Sequence, residues 1–143
     1  MNQRLTAAAL LALSGLTMTS ILLAQTATAE KKALLAPSHQ RIVFLGDSIT
    51  DGNTYPTLVR QALTEAGYVA PLCINAGIGG DTAAGMRSRF DTTVLAYKPT
   101  LVTISAGVND AFRGVTNENY QADVAAMVER AKAAGAAVIL LTP

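Results

Sequence analysis

Arg41-Ile42-Val43-Phe44-Leu45-Gly46-Asp47-Ser48 is the stretch whose reading decides the fold. Four consecutive apolar residues, mostly β-branched or aromatic, predict a strand buried on both faces, ending at a glycine. Outward from it the same sentence repeats. Val69 to Asn75 is a second apolar run, Leu101 to Ala106 a third that ends at Gly107, and Ala137 to Leu141 a fourth. Between the runs lie helical periods. Pro56 to Ala66 places Leu58, Val59, Ala62, Leu63 and Ala66 on one face, with Pro56 in the first turn and Gly67 as the terminal cap. Thr82 to about Tyr97 is a weaker helix carrying Met86, Arg87 and Arg89, with Phe90, Val94 and Leu95 inward. Thr116 caps a long helix to Ala134, with Tyr120, Val124, Met127, Val128 and Ala131 inward and Gly135 closing it. Strands that are continuous apolar runs, alternating with helices, predict an α/β fold with a parallel sheet covered on both faces.

Composition narrows the function. Of 143 residues 50% are hydrophobic and 15% charged, which excludes a disordered chain. Eleven basic against ten acidic side chains, a net charge of +1, give no electrostatic ground for a nucleic-acid partner. A single cysteine, Cys73, permits no intramolecular disulfide, and one histidine, His39, permits no multi-histidine metal site. Cys73, between Leu72 and Ile74, reads as a buried small hydrophobe.

Residues 1–29 read as a secretory signal. Arg4 is the basic start, Leu5 to Leu23 carries no charge, and Ala27-Thr28-Ala29 is a cleavage pattern before Glu30-Lys31-Lys32. An uncleaved membrane anchor is the alternative. Cleavage predicts a secreted or periplasmic protein with no stable membrane partner, a lead-in over 30–40 and a domain over 41–143.

Polar residues collect after three of the strands. They are Gly46-Asp47-Ser48-Ile49-Thr50-Asp51-Gly52, Asn75-Ala76-Gly77-Ile78-Gly79-Gly80-Asp81 and Gly107-Val108-Asn109-Asp110. In a doubly wound sheet such loops share one edge and converge where the strand order reverses. Ser48, exposed on a sharp turn, is a candidate nucleophile, although a serine there equally caps a helical turn. Gly80, whose backbone N–H an oxyanion can approach closely, and the Asn109 amide are candidate oxyanion donors; a turn glycine and a loop-folding asparagine are the plain alternatives.

Gly-Asp-Ser, Asn-x-Gly-x-x-Gly-Asp and Gly-x-Asn-Asp, in that order, resemble the SGNH hydrolases, also called the GDSL esterase/lipase family. The resemblance covers about Arg41 to Leu141 and implies a carboxylic ester hydrolase working through an acyl-enzyme, with no cofactor. It implies a three-layer α/β/α sandwich with a parallel, flavodoxin-like sheet, of which the family has five strands and this sequence four. It assigns Ser48 as nucleophile and first oxyanion donor, Gly80 as the second and Asn109 as the third, with Asp47 and Asp110 organising the loops. The family's Asp-x-x-His block is absent from these residues, and His39 precedes the first strand, at the opposite edge from Ser48. Residues 30–143 alone are therefore expected to be a fragment, poorly soluble and essentially inactive.

The Gly-Asp-Ser-Ile-Thr-Asp-Gly stretch looks like secreted esterases that deacetylate carbohydrates, so a small-molecule or polysaccharide ester is the expected substrate. A lysophospholipase or thioesterase-like enzyme is the alternative. Outside the family, Gly77-Ile78-Gly79-Gly80 suggests a phosphate cradle, but no G-x-G-x-x-G spacing or Walker lysine supports it. Asp47, Asp51, Asp81 and Asp110 suggest a Mg²⁺-dependent phosphotransferase, which would leave Ser48 and Asn109 idle. A secreted carbohydrate-binding module is the non-enzymatic reading, and the parallel α/β pattern disfavours it.

Overall fold

The structure is a computed structural model, and it describes residues 40–66 and 71–142. The signal segment, His39, Gly67 and Val69 lie outside the described residues. Chain order is β1 (Arg41–Gly46), α1 (Ser48–Asp51), α2 (Thr54–Glu65), β2 (Leu72–Gly77), α3 (Ala83–Thr93), a 3₁₀ turn (Leu95–Tyr97), β3 (Leu101–Ser105), α4 (Val108–Phe112), α5 (Asn117–Ala133) and β4 (Ala137–Leu141).

The four strands form one parallel sheet in the order β2-β1-β3-β4. Val43 pairs in register with Ile74 on one side and Val102 on the other, and Val102 with Val138. Strand order reverses at β1. With right-handed crossovers, that reversal sends α2 to one face of the sheet and α3 and α5 to the other. The expected α/β architecture is therefore what the chain adopts.

The main core lies under α3 and α5. Val43, Leu45, Val102 and Ile104 from the sheet meet Met86, Phe90, Met127 and Ala131 from the helices, all buried. The pair is fastened at its rim by Arg87 Nε to Asp123 at 3.0 Å and by an ion pair of Arg130 with Asp91. Arg130 also lies over the Phe90 ring, 5.1 Å from its centroid. Thr116 caps its helix as the sequence predicts, Thr82 caps α3, and the C-cap of α2 is Ala66. Thr82 Oγ1 accepts from Gly85 N–H, and Thr116 Oγ1 from Asn119 N–H.

Two expectations need correction. The helix expected over Pro56 to Ala66 runs from Thr54 to Glu65, and its apolar stripe does not face a core. Leu58 is 57% exposed, Val59 and Ala62 are exposed too, and the residue it buries is Pro56. The helix is seated at its start, where Tyr55 meets Phe44 edge-to-face at 5.6 Å. Cys73 is half-buried rather than enclosed, because β2 is an edge strand. It lines a cavity of about 180 Å³ with Phe44, Pro56 and Arg60. Burial pushes its thiol pKa up, and the Arg60 charge opposes this. Leu72 on β2 and Ile139 and Leu140 on β4, the outer strands among the described residues, are exposed too. Among the described residues no helix is long and apolar enough to cross a membrane.

Candidate active site

The loops after β1, β2 and β3 all leave the same edge of the sheet, around the strand where the order reverses. The first loop turns at once into α1. Asp47 is its N-cap. The residue is 1% exposed, and its Oδ1 accepts the Ile49 N–H at 3.0 Å. Ser48 is the first helical residue and is exposed, while Thr50 turns inward to meet the Tyr55 hydroxyl at 3.1 Å. Asp47, and not Ser48, therefore fills the capping role, which leaves the serine hydroxyl free of that duty. No described side chain hydrogen-bonds it. As the first helical residue, Ser48 also has a backbone N–H with no intrahelical acceptor.

The second loop is a turn closed by Asp81 N–H donating to the Ile78 carbonyl at 3.2 Å. Gly80 takes φ +76° in it, a conformation that a side chain would strain. Asn75 holds the approach to this turn. Its Oδ1 accepts the Gly77 N–H at 2.8 Å, and its Nδ2 donates to the Thr50 carbonyl at 2.8 Å and to Asn53 Oδ1 at 3.1 Å. The Ile78 N–H donates to the Gly46 carbonyl at 3.0 Å, joining the second loop to the first. Arg113, from the end of α4, donates to the Gly80 carbonyl at 2.7 Å.

The third loop becomes α4 and supplies two ties. Asp110 is 3% exposed, and both its oxygens lie 3.1 Å from the Ala83 N–H, so it caps α3 from another segment. Asn109 Nδ2 donates to the Asp81 carbonyl at 3.0 Å and to Asp47 Oδ2 at 3.2 Å. Below them the Tyr120 hydroxyl donates to the Ala106 carbonyl at 3.1 Å. Burial first, and the Asp110 charge second, push the Tyr120 pKa up.

Ser48, Gly80 and Asn109 thus belong to three loops that are hydrogen-bonded to one another. The four aspartates do not form a cation cage. Asp47 and Asp110 cap helices, Asp81 pairs with Arg89 at 2.8 Å, and no cluster of three or more metal-ligating side chains exists among the described residues.

Comparison with known proteins shows the family. The sequence model of the GDSL-like lipase/acylhydrolase family matches residues 44–143. The chain belongs to that family. Within it, the chain is 35% identical over 108 residues to the esterase TesA of Pseudomonas aeruginosa, covering 71% of this chain and 53% of TesA. It is 30% identical over 132 residues to an acetylxylan esterase of Geobacillus stearothermophilus, covering 74% of this chain and 60% of that enzyme. A solved lipolytic protein of the G-D-S-L family from Desulfitobacterium hafniense superposes with a TM-score of 0.65 at 34% identity, over 72% of this chain and 59% of that one. This GDSL-family chain therefore spans a little over half the length of the relatives it matches.

Membership leaves the phosphate-cradle and phosphotransferase readings without support. The hydrogen-bond geometry also brings forward residues that the sequence does not place at the site. Asn75 sits within a quoted motif, and its role as a brace appears only once β2 is set beside α1. Arg89 and Arg113 carry a weaker signal, a cation on a helix facing the strand ends.

Proposed function

We propose that this GDSL-family protein is a serine ester hydrolase in which Ser48 is the nucleophile. Ser48 Oγ attacks the ester carbonyl carbon, the carbonyl π pair moves to oxygen, and a tetrahedral oxyanion forms. The serine proton passes to a general base that is not among the described residues. Collapse of the intermediate expels the alcohol, which takes up that proton, and leaves an acyl-serine for water to hydrolyse.

The oxyanion meets three donors in this reading: the Ser48 N–H, the Gly80 N–H and Asn109 Nδ2. Asn109 already spends both amide protons on protein acceptors, so the oxyanion takes the place of the longer contact, the one to Asp47. The single observation that carries the proposal is the exposure of Ser48 on a helix start already capped by Asp47. Among the described residues the hydroxyl has no hydrogen-bond partner to leave before it reacts.

For the substrate, we propose an acetyl ester on a carbohydrate, supported by likeness to the acetylxylan esterase, and an exported enzyme whose first 29 residues act as the signal. A specific observation favours a second reading. Ile49, Ile78 and Phe112, one on each site loop, are all exposed, and Phe112 is 86% so. An apolar rim of that kind suits a longer acyl chain.

Turnover of acetylated xylan and of p-nitrophenyl acetate, butyrate and octanoate by the full gene product decides between them. Preference for acetyl supports deacetylation, and preference for octanoate supports the lipid-like reading. Full activity in Ser48→Ala would overturn the nucleophile assignment and with it the proposed mechanism.

A further inference from the structure

Arg89 takes no part in the chemistry above, yet its side chain is only 14% exposed. Enclosing a guanidinium is costly unless its donors are met. Here the planar fork meets acceptors in three places. Nε donates to Asp81 Oδ2 at 2.8 Å, Nη1 to Thr93 Oγ1 at 3.3 Å and Nη2 to the Gly46 carbonyl at 3.3 Å.

Two of those acceptors adjoin the proposed machinery. Asp81 directly follows Gly80. Gly46 directly precedes Asp47, the cap that sets Ser48. The Gly46 carbonyl is the same one that accepts the Ile78 N–H, so the arginine reinforces the seam between the first and second loops. The Asp81 carboxylate is fixed on its other side as well, where Oδ1 accepts the Thr82 N–H at 2.9 Å. Gly85 leaves that carboxylate its space, since a Cβ at this position would collide with Asp81 Oδ1.

We propose that Arg89 is a positioning residue that fixes the spacing between the Ser48 and Gly80 N–H donors by clamping Asp81 to the Gly46 carbonyl. The role rests on the ester-hydrolase reading, because the donors matter only if an oxyanion forms between them. Fork geometry is essential to it. A lysine ammonium is a point charge that can hold the carboxylate but cannot span to the carbonyl with fixed angles.

The test uses the full gene product with Arg89→Gln, Arg89→Lys, Asp81→Asn and a control, Arg87→Gln. Arg87 lies on the same helix but pairs with Asp123, away from the loops. Two readouts are taken: amide hydrogen exchange in peptides over 46–52 and 78–82, and kcat and KM on p-nitrophenyl acetate. Arg89→Gln should speed exchange in both peptides by about tenfold or more. It should lower kcat by about 100-fold with KM within about twofold. Arg89→Lys should restore part of kcat, and Arg87→Gln should leave both readouts unchanged.

Unchanged exchange, or unchanged kcat, in Arg89→Gln overturns the proposal. If that variant does not fold, Asp81→Asn reads the same clamp from its other end, and unchanged loop exchange there overturns it equally. The two readings fail separately. Turnover surviving in Ser48→Ala removes the ester-hydrolase mechanism, while loop exchange still decides whether Arg89 joins the loops. A dead Ser48→Ala beside a fully active Arg89→Gln removes the positioning role alone.

Discussion

Asn109 donates its side-chain amide to Asp47, the residue directly before Ser48, across 62 positions of sequence. The same nitrogen reaches the carbonyl of Asp81, directly after Gly80. One side chain therefore touches the neighbour of each of the other two proposed site residues, and its loss should be felt in the transition state. Removing one preorganised donor costs about 2.7–4 kcal/mol there. Asn109→Ala is expected to lower kcat by about 100- to 1000-fold with KM little changed, measured on p-nitrophenyl acetate.

Asp110 is expected to matter for stability rather than chemistry. Asp110→Ala leaves the buried Ala83 N–H without its acceptor. A buried donor left unsatisfied costs about 1–3 kcal/mol. Urea denaturation should show a lower midpoint with an unchanged slope. Asp110→Asn keeps an acceptor oxygen and should lose less.

The two helix faces should respond in opposite ways. Phe90 is fully buried between α3 and the sheet, so Phe90→Ala should cost about 3–5 kcal/mol. Leu58 carries the same apolar signal in sequence but is 57% exposed in this chain, so in residues 30–143 Leu58→Ala should fall within about 0.5 kcal/mol of the parent. Parallel denaturant melts of the two variants check both.

Tyr120 sets an alkaline limit. Its pKa is raised above the ordinary 10.0, so from about that pH the folded chain holds a proton that the unfolded chain has released. Stability from this group is complete below 10.0 and is lost as pH rises through the folded value. Comparing urea melts at about pH 9 and about pH 11, the parent should weaken more than Tyr120→Phe. Equal losses would remove Tyr120 as the cause.

Much of the fold is legible in the sequence because its strands are uninterrupted apolar runs. Ile42 to Leu45 suggests a strand covered on both faces, and in the sheet all four are buried. The α2 stripe misleads for a physical reason. Periodicity shows which residues share a helix face, while burial depends on what lies opposite, and α2 is seated by Tyr55 and Pro56 at one end. For the proposed site, the order of three short motifs points to Ser48, Gly80 and Asn109. Asn75 and Arg89 are harder to read because their partners are backbone carbonyls and carboxylates brought near only by strand pairing. A lone arginine on a helix also reads as a solvent-facing charge.

The ties between loops set when the proposed donors can first come together. Asp47 and Asn109 are 62 positions apart, and Asp110 reaches back 27 positions to Ala83. Contacts between such distant positions form late, after the intervening loops have closed. During synthesis the serine emerges well before Asn109 does. Until β3 docks beside β1 and brings the third loop across, Ser48 sits on a chain that lacks the proposed third donor and the cap for α3. In the proposed mechanism the closing of the sheet thus brings the three donors together, while the general base has still to come from outside the described residues.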